Sequence, residues 1–143
     1  MKNLYILFLL LIFLLPASFG GIFKKNSKPV LYLTASDPRE ISGYDQKIEP
    51  VNVFKKGERI YFSVFTKKGF ASDYIKYQIV KQDDKAHIGG YSRVMNKTVR
   101  VSNKNSYIDY IVLNSAGKYF IQIFDITNLH QWIVMGAFAV FDE

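Results

Sequence analysis

The 143-residue chain has no cysteine, only four prolines and two histidines, and a single tryptophan. Without cysteine there is neither a disulfide framework, which small exported domains commonly use to supplement a limited core, nor an attachment point for a lipoprotein anchor. Packing alone must stabilise the fold. A core disulfide contributes about 2 to 4 kcal/mol, and one or two further buried aliphatic side chains at about 1.5 to 3 kcal/mol each replace it. No stretch has a convincing helical period, an internal repeat or low complexity. No serine sits in a nucleophile elbow, and Glu40, Glu49 and Glu58 flank strands without forming a recognisable glycosidase pair. The chain therefore reads as a binding or structural module that does not catalyse and needs no cofactor. A small hydrolase is the last of the alternatives.

What the chain has is rings and aliphatics. Nearly half the residues are apolar and 16% are aromatic, a composition that folds around one core at this length. The N-terminus, MKNLYILFLLLIFLLPASFGG, places Lys2 before an unbroken apolar run from Leu4 to Leu15, then Pro16 and small residues. This is the pattern of a secretory signal helix cleaved after Gly20. The other reading is a retained anchor ended by Lys24 and Lys25, since about 20 residues just suffice to span a bilayer. The expected organisation is a signal at 1–20, a polar leader with a short first strand at 21–50, and a β-domain at 51–143. The expected location is exported: periplasmic, cell-surface or secreted, with membrane contact only if the N-terminal segment is retained.

The net charge of +7 allows attraction to anionic headgroups, acidic glycans or nucleic acid. The lysines are scattered in pairs and form no block, so the expectation is a solvated surface with lysine guarding strand edges. Nucleic-acid binding is not expected, because YSRVMNKTVRV mixes basic, polar and apolar residues on both of its sides.

From Val51 the chain reads as strands: VNVF, RIYFSVFT, DYIKYQIVKQ, YSRVMNKTVRV, YIDYIVLN, KYFIQIFDI and QWIVMGAFAVFD, separated by Gly, Asn, Asp and Ser clusters. VLYLT, Val30 to Thr34, is a shorter run before them. In DYIKYQI, Ile75, Tyr77 and Ile79 alternate with Lys76 and Gln78, giving one buried and one wet face. RIYFSVF and IVMGAFAVF are apolar on both faces, which predicts central strands or a covered outer face. Seven or eight short strands predict an antiparallel sandwich or barrel.

Two segments, GERIYFSV (Gly57 to Val64) and SAGKYFI (Ser115 to Ile121), resemble the B and F strands of an immunoglobulin-like β-sandwich domain, here of an exported bacterial protein. In that family a tyrosine two residues before the second core cysteine forms the tyrosine corner, its hydroxyl bonding backbone just upstream. The resemblance implies that role for Tyr119. It puts Val64 and Ile121 at the two cysteine positions, Tyr77 where the strand C tryptophan packs, and Gly117 at the tight entry to the strand.

Two clusters could carry chemistry or recognition. His87 lies near Asp83 and Asp84 in KQDDKAHIGG, a spacing that matches neither a calcium loop nor a zinc signature and that ordinary turn formers explain. His130, Gln131 and Trp132 lie in DITNLHQW, expected to be an end loop that binds a peptide or sugar, unless Trp132 simply packs at the edge of the core. The functional expectation is recognition of a protein partner in the cell envelope. The alternative is glycan binding by a row of rings such as Tyr107, Tyr91 and Tyr44 with Trp132.

Overall fold

A computed structural model describes residues 28–40, 49–85 and 89–142. The signal segment, Tyr44 and His87 lie outside the described residues. Eight strands run in order: β1 Val30–Thr34, β2 Val53–Lys55, β3 Arg59–Phe65, β4 Tyr74–Gln82, β5 Tyr91–Arg100, β6 Ser106–Val112, β7 Gly117–Asp125 and β8 Asn128–Phe141. They form two sheets, β1-β3-β6 and β2-β8-β7-β4-β5.

Two expectations change. The sheets are not antiparallel throughout: β2 runs parallel to β8, Val53 to Lys55 against Ala139 to Phe141. The cause is a crossover, since the chain leaves β1 in one sheet and adds β2 to the far edge of the other. The run VLYLT, read as part of the leader, is a full member of the three-stranded sheet, pairing residue for residue from Val30↔Phe65 to Thr34↔Tyr61. The two strands that are apolar on both faces are both flanked on either side, as expected, β3 by β1 and β6 and β8 by β2 and β7. β3 lies centrally and is buried on both faces from Ile60 to Val64, whereas the outer face of β8 exposes Trp132 and Met135.

The core lies between the sheets. Ile60, Phe62 and Val64 from β3 meet Ile75, Tyr77 and Ile79 from β4, Tyr119, Ile121 and Ile123 from β7, and Phe138 and Val140 from β8. Strand alternation puts each of these triplets on one face. The Phe62 ring meets the Tyr77 ring edge-on at 4.9 Å, and Tyr119 stacks on Phe138 at 5.6 Å, arrangements that add to simple area burial. Gly136 on β8 leaves room for Leu31, whose Cδ2 would lie 2.8 Å from a Cβ at that position.

Gly117 opens β7 at the corner that follows Ser115 and Ala116. The Tyr119 hydroxyl donates to the Ser115 carbonyl at 2.7 Å and lies 2.7 Å from Ser115 Oγ. Gly117 has a φ of +150°, and a Cβ there would come within 2.5 Å of Lys81 Cε. Lys81 threads through that space, donates to Ser115 Oγ at 3.2 Å and holds its ammonium 5.6 Å from the Tyr119 ring centre. Tyr119→Phe removes the hydroxyl and leaves the stacking. It should cost about 1 to 2 kcal/mol, read as a lower urea midpoint at an unchanged m-value.

Candidate functional site

His130, Gln131 and Trp132 do not lie in a loop. The connection between β7 and β8 is a two-residue turn at Ile126 and Thr127. Asp125 Oδ1 accepts from Thr127 N–H at 2.8 Å, Thr127 Oγ1 at 2.5 Å and Ser72 Oγ at 2.9 Å, while Asn128 Oδ1 accepts from His130 N–H at 3.2 Å. These bonds close the hairpin so tightly that β8 begins at Asn128. Its first five residues, Asn128 to Trp132, are exposed. The three candidates then diverge. Gln131 and Trp132 border a hollow shared with Lys28 and Asp125, Trp132 also borders a second hollow, and His130 lines neither.

The second hollow is the apolar one. It encloses about 330 Å³ on the outer face of the five-stranded sheet, lined by Val80, Tyr91, Phe120, Gln122, Trp132 and Met135. Register explains how residues so far apart in sequence meet: Phe120 lies beside Val80 of β4 and Ala137 of β8, and Gln122 lies beside Met135. Ala137 is small, so Phe120 stays accessible on that side. A bulge between Ile79 and Val80 shifts the β4–β5 pairing, and Tyr91 meets Phe120 edge-on at 5.5 Å. Trp132 remains 47% exposed and so is not a core-edge tryptophan.

Rings also show on the outer face of the three-stranded sheet, but there they are engaged with one another. Tyr61 is buried, lying 5.7 Å from Tyr110, and Arg59 sits 5.0 Å over the Tyr110 ring. Of the tyrosines named for a glycan row, Tyr91 is at the hollow and Tyr107 points into the sandwich. Asp83 acts as a turn former, accepting from Lys85 N–H at 3.0 Å while its own N–H donates to the Gly90 carbonyl. Among the described residues no three His, Asp or Glu side chains converge to hold a metal ion.

The principal electrostatic cluster escaped the sequence reading. Asp109 on β6 faces inward, and its Oδ2 accepts from Tyr107 Oη at 2.7 Å, Lys97 Nζ at 3.0 Å and Tyr77 Oη at 3.1 Å, while Oδ1 accepts from Tyr110 N–H at 2.9 Å. Burial works against the Asp109 charge, but the bonds from Tyr107, Lys97 and Tyr110 N–H outweigh it and hold the carboxyl below its ordinary value. Burial first, then the neighbouring Asp109 charge and hydrogen bond, push both tyrosine hydroxyls well above theirs. Alternation is the signal that could have found this cluster, because Asp109 occupies an inward position opposite Phe62.

No family model matches the chain, and no curated protein matches it. Among solved structures, the soluble domain of PmoD from a Methylocystis species superposes with a TM-score of 0.50 at 9% identity, covering 82% of this chain and 99% of that one. A superoxide reductase (neelaredoxin) from Ignicoccus hospitalis gives 0.46 at 10% identity over 86% and 89% of the two chains. A CARDB domain from Pyrococcus furiosus, in complex with di-metal ions, gives 0.41 at 14% identity over 81% and 94%. The PmoD likeness is one of fold, an all-β sandwich. The superoxide reductases correct the expectation that the chain is not an enzyme. A missing nucleophile elbow and carboxylate pair do not by themselves exclude catalysis. At 10% identity, the likeness assigns no activity either.

The Asp109 cluster sets a pH response. A carboxyl whose pKa is depressed by folding supplies stability above the ordinary aspartate pKa and loses it as pH falls through the lower folded value. Tyrosines raised by folding act at the other end, losing their contribution as pH rises above about 10. Asp109→Asn should cost about 2 to 3 kcal/mol at neutral pH, with the deficit closing below the aspartate range. Urea unfolding of both proteins at neutral and acid pH checks this, and a deficit independent of pH would refute it.

Proposed function

We propose that this chain is an exported immunoglobulin-like sandwich that recognises a protein partner in the cell envelope through the hollow on its five-stranded sheet. The carrying observation is the hollow itself, an open, mainly apolar depression lined by Val80, Phe120, Met135 and the rings of Tyr91 and Trp132, with Gln122 as its one amide. Solvent-facing apolar surface concentrated in this way marks a recognition surface, and aromatic and methionine side chains are enriched where proteins meet. The depression suits one leucine-sized or aromatic side chain of a partner.

The immunoglobulin-like assignment is supported by connectivity and by the corner. Strands β3 and β7 lie in opposite sheets and bring Val64 and Ile121 into one core, Tyr77 packs beside them, and Tyr119 bonds back to Ser115. A glycan is the second reading, favoured by Trp132 and Tyr91 lying at one hollow. Sugar recognition also needs several hydrogen-bonding groups around the rings, and here Gln122, the Tyr91 hydroxyl and the Trp132 N–H stand in a mainly apolar lining, which favours the protein reading.

Tyr91 and Met135 are exposed enough to change at little cost to folding. Immobilised wild-type protein is expected to retain an envelope protein from extracts that Tyr91→Ser/Met135→Ser does not, at matched thermal stability. Equal retention by both would remove the hollow from recognition. Binding of the wild type alone to a glycan array would move the assignment to sugar.

A further inference from the structure

Lysines scattered along the chain converge in the fold. β1, β4, β6 and β8 begin, and β3, β5 and β7 end, at one end of the sandwich. The connections there are tied together: Phe70 N–H donates to the Lys104 carbonyl at 3.3 Å, Val101 N–H to that of Asp73 at 2.7 Å, and Ile126 N–H to that of Tyr74 at 3.4 Å. Lys67, Lys68 and Lys104 line one open hollow, and Lys28 borders the adjoining one with Trp132. The bond from Ser72 to Asp125 joins the two.

Among the described residues, and with Arg100, this end presents five cations against two carboxylates, Asp73 and Asp125. Asp125 is occupied by Ser72 and Thr127. Beside the cations the hairpin tip exposes Ile126, Leu129 and Trp132. The described chain enters the fold at this same end, at Lys28. Where the N-terminal segment is retained, its apolar run Leu4 to Leu15 ends thirteen positions earlier, a connection of at most about 45 Å when fully extended.

We propose that this end of the sandwich rests on a membrane surface of anionic phospholipid, with the lysines on headgroup phosphates and Ile126, Leu129 and Trp132 at the headgroup boundary. Each basic side chain near such a surface gains from its negative potential within a Debye length. Tryptophan favours that boundary because its ring is apolar and its N–H polar. A soluble acidic partner would account for the lysines and leave the three apolar side chains unexplained. This surface is distinct from the partner hollow, apart from Trp132 at their border, and the two readings can fail separately.

Because Trp132 is the only tryptophan, its emission reports on this end and its border with the partner hollow, and the lysine variant separates the two. The full chain is reconstituted in phosphatidylcholine vesicles with and without phosphatidylglycerol, part of the phosphatidylcholine carrying brominated acyl chains. With phosphatidylglycerol, emission should shift to shorter wavelength and bromine quenching should rise roughly twofold or more, both reversed by high salt. Lys67→Glu/Lys68→Glu/Lys104→Glu should abolish the gain while keeping the wild-type circular dichroism and melting temperature. Quenching that is the same in both vesicle types, or unchanged in the charge-reversed variant, overturns the proposal.

Discussion

The side of the sandwich where β5 and β6 lie as the open edges of their two sheets is closed by one carboxylate. Asp109 reaches inward from β6 and accepts from Tyr107 on its own strand, Tyr77 on β4 and Lys97 on β5. With no cysteine to join the sheets, this is the directional bond that fixes how the edge of one sits on the other. It draws on the centre of the core as well, since the Tyr77 ring packs edge-on against Phe62 while its hydroxyl reaches Asp109. A half-buried acceptor with three side-chain donors is costly to disturb from either side. Removing the carboxylate strands two tyrosine hydroxyls, and removing a donor leaves charge less compensated.

The corner at Gly117 plays the corresponding part where β7 enters the five-stranded sheet. The Tyr119 hydroxyl ties the connection before β7 to the strand itself, and Lys81 from β4 fills the space that glycine leaves. The stem of Lys81 is packed and its ammonium satisfied. With both points in place the five-stranded sheet needs no further cover, and its outer face is free to carry a hollow.

The fold was legible where a local pattern matched a local cause. Alternation in β4 exposed its buried face, and the glycine and tyrosine that open β7 lie at the corner. Legibility failed where the cause was non-local. The parallel β2–β8 pair follows from a crossover that strand composition does not encode. Asp109 gave no signal in its own segment, because the opposite sheet supplies its donors Tyr77 and Lys97. His130 was assigned to a loop because the turn bonds made by Asp125 and Asn128 shorten the connection below what its composition suggested.

The scattered lysines have the same explanation. In a sandwich whose strands run up and down, the connections at one end alternate along the chain with those at the other, so groups that are neighbours in space are separated by two strands in sequence. Lys67 and Lys68 follow β3 and Lys104 follows β5, with β4 and β5 between them, yet all three line one hollow. A search for a basic block along the chain cannot detect such a cluster. Summing charge over alternate connections can, once the strands are assigned. By that count the end where the chain enters the fold is the one where cations outnumber carboxylates and apolar side chains lie uncovered beside them, a combination that solubility alone does not require.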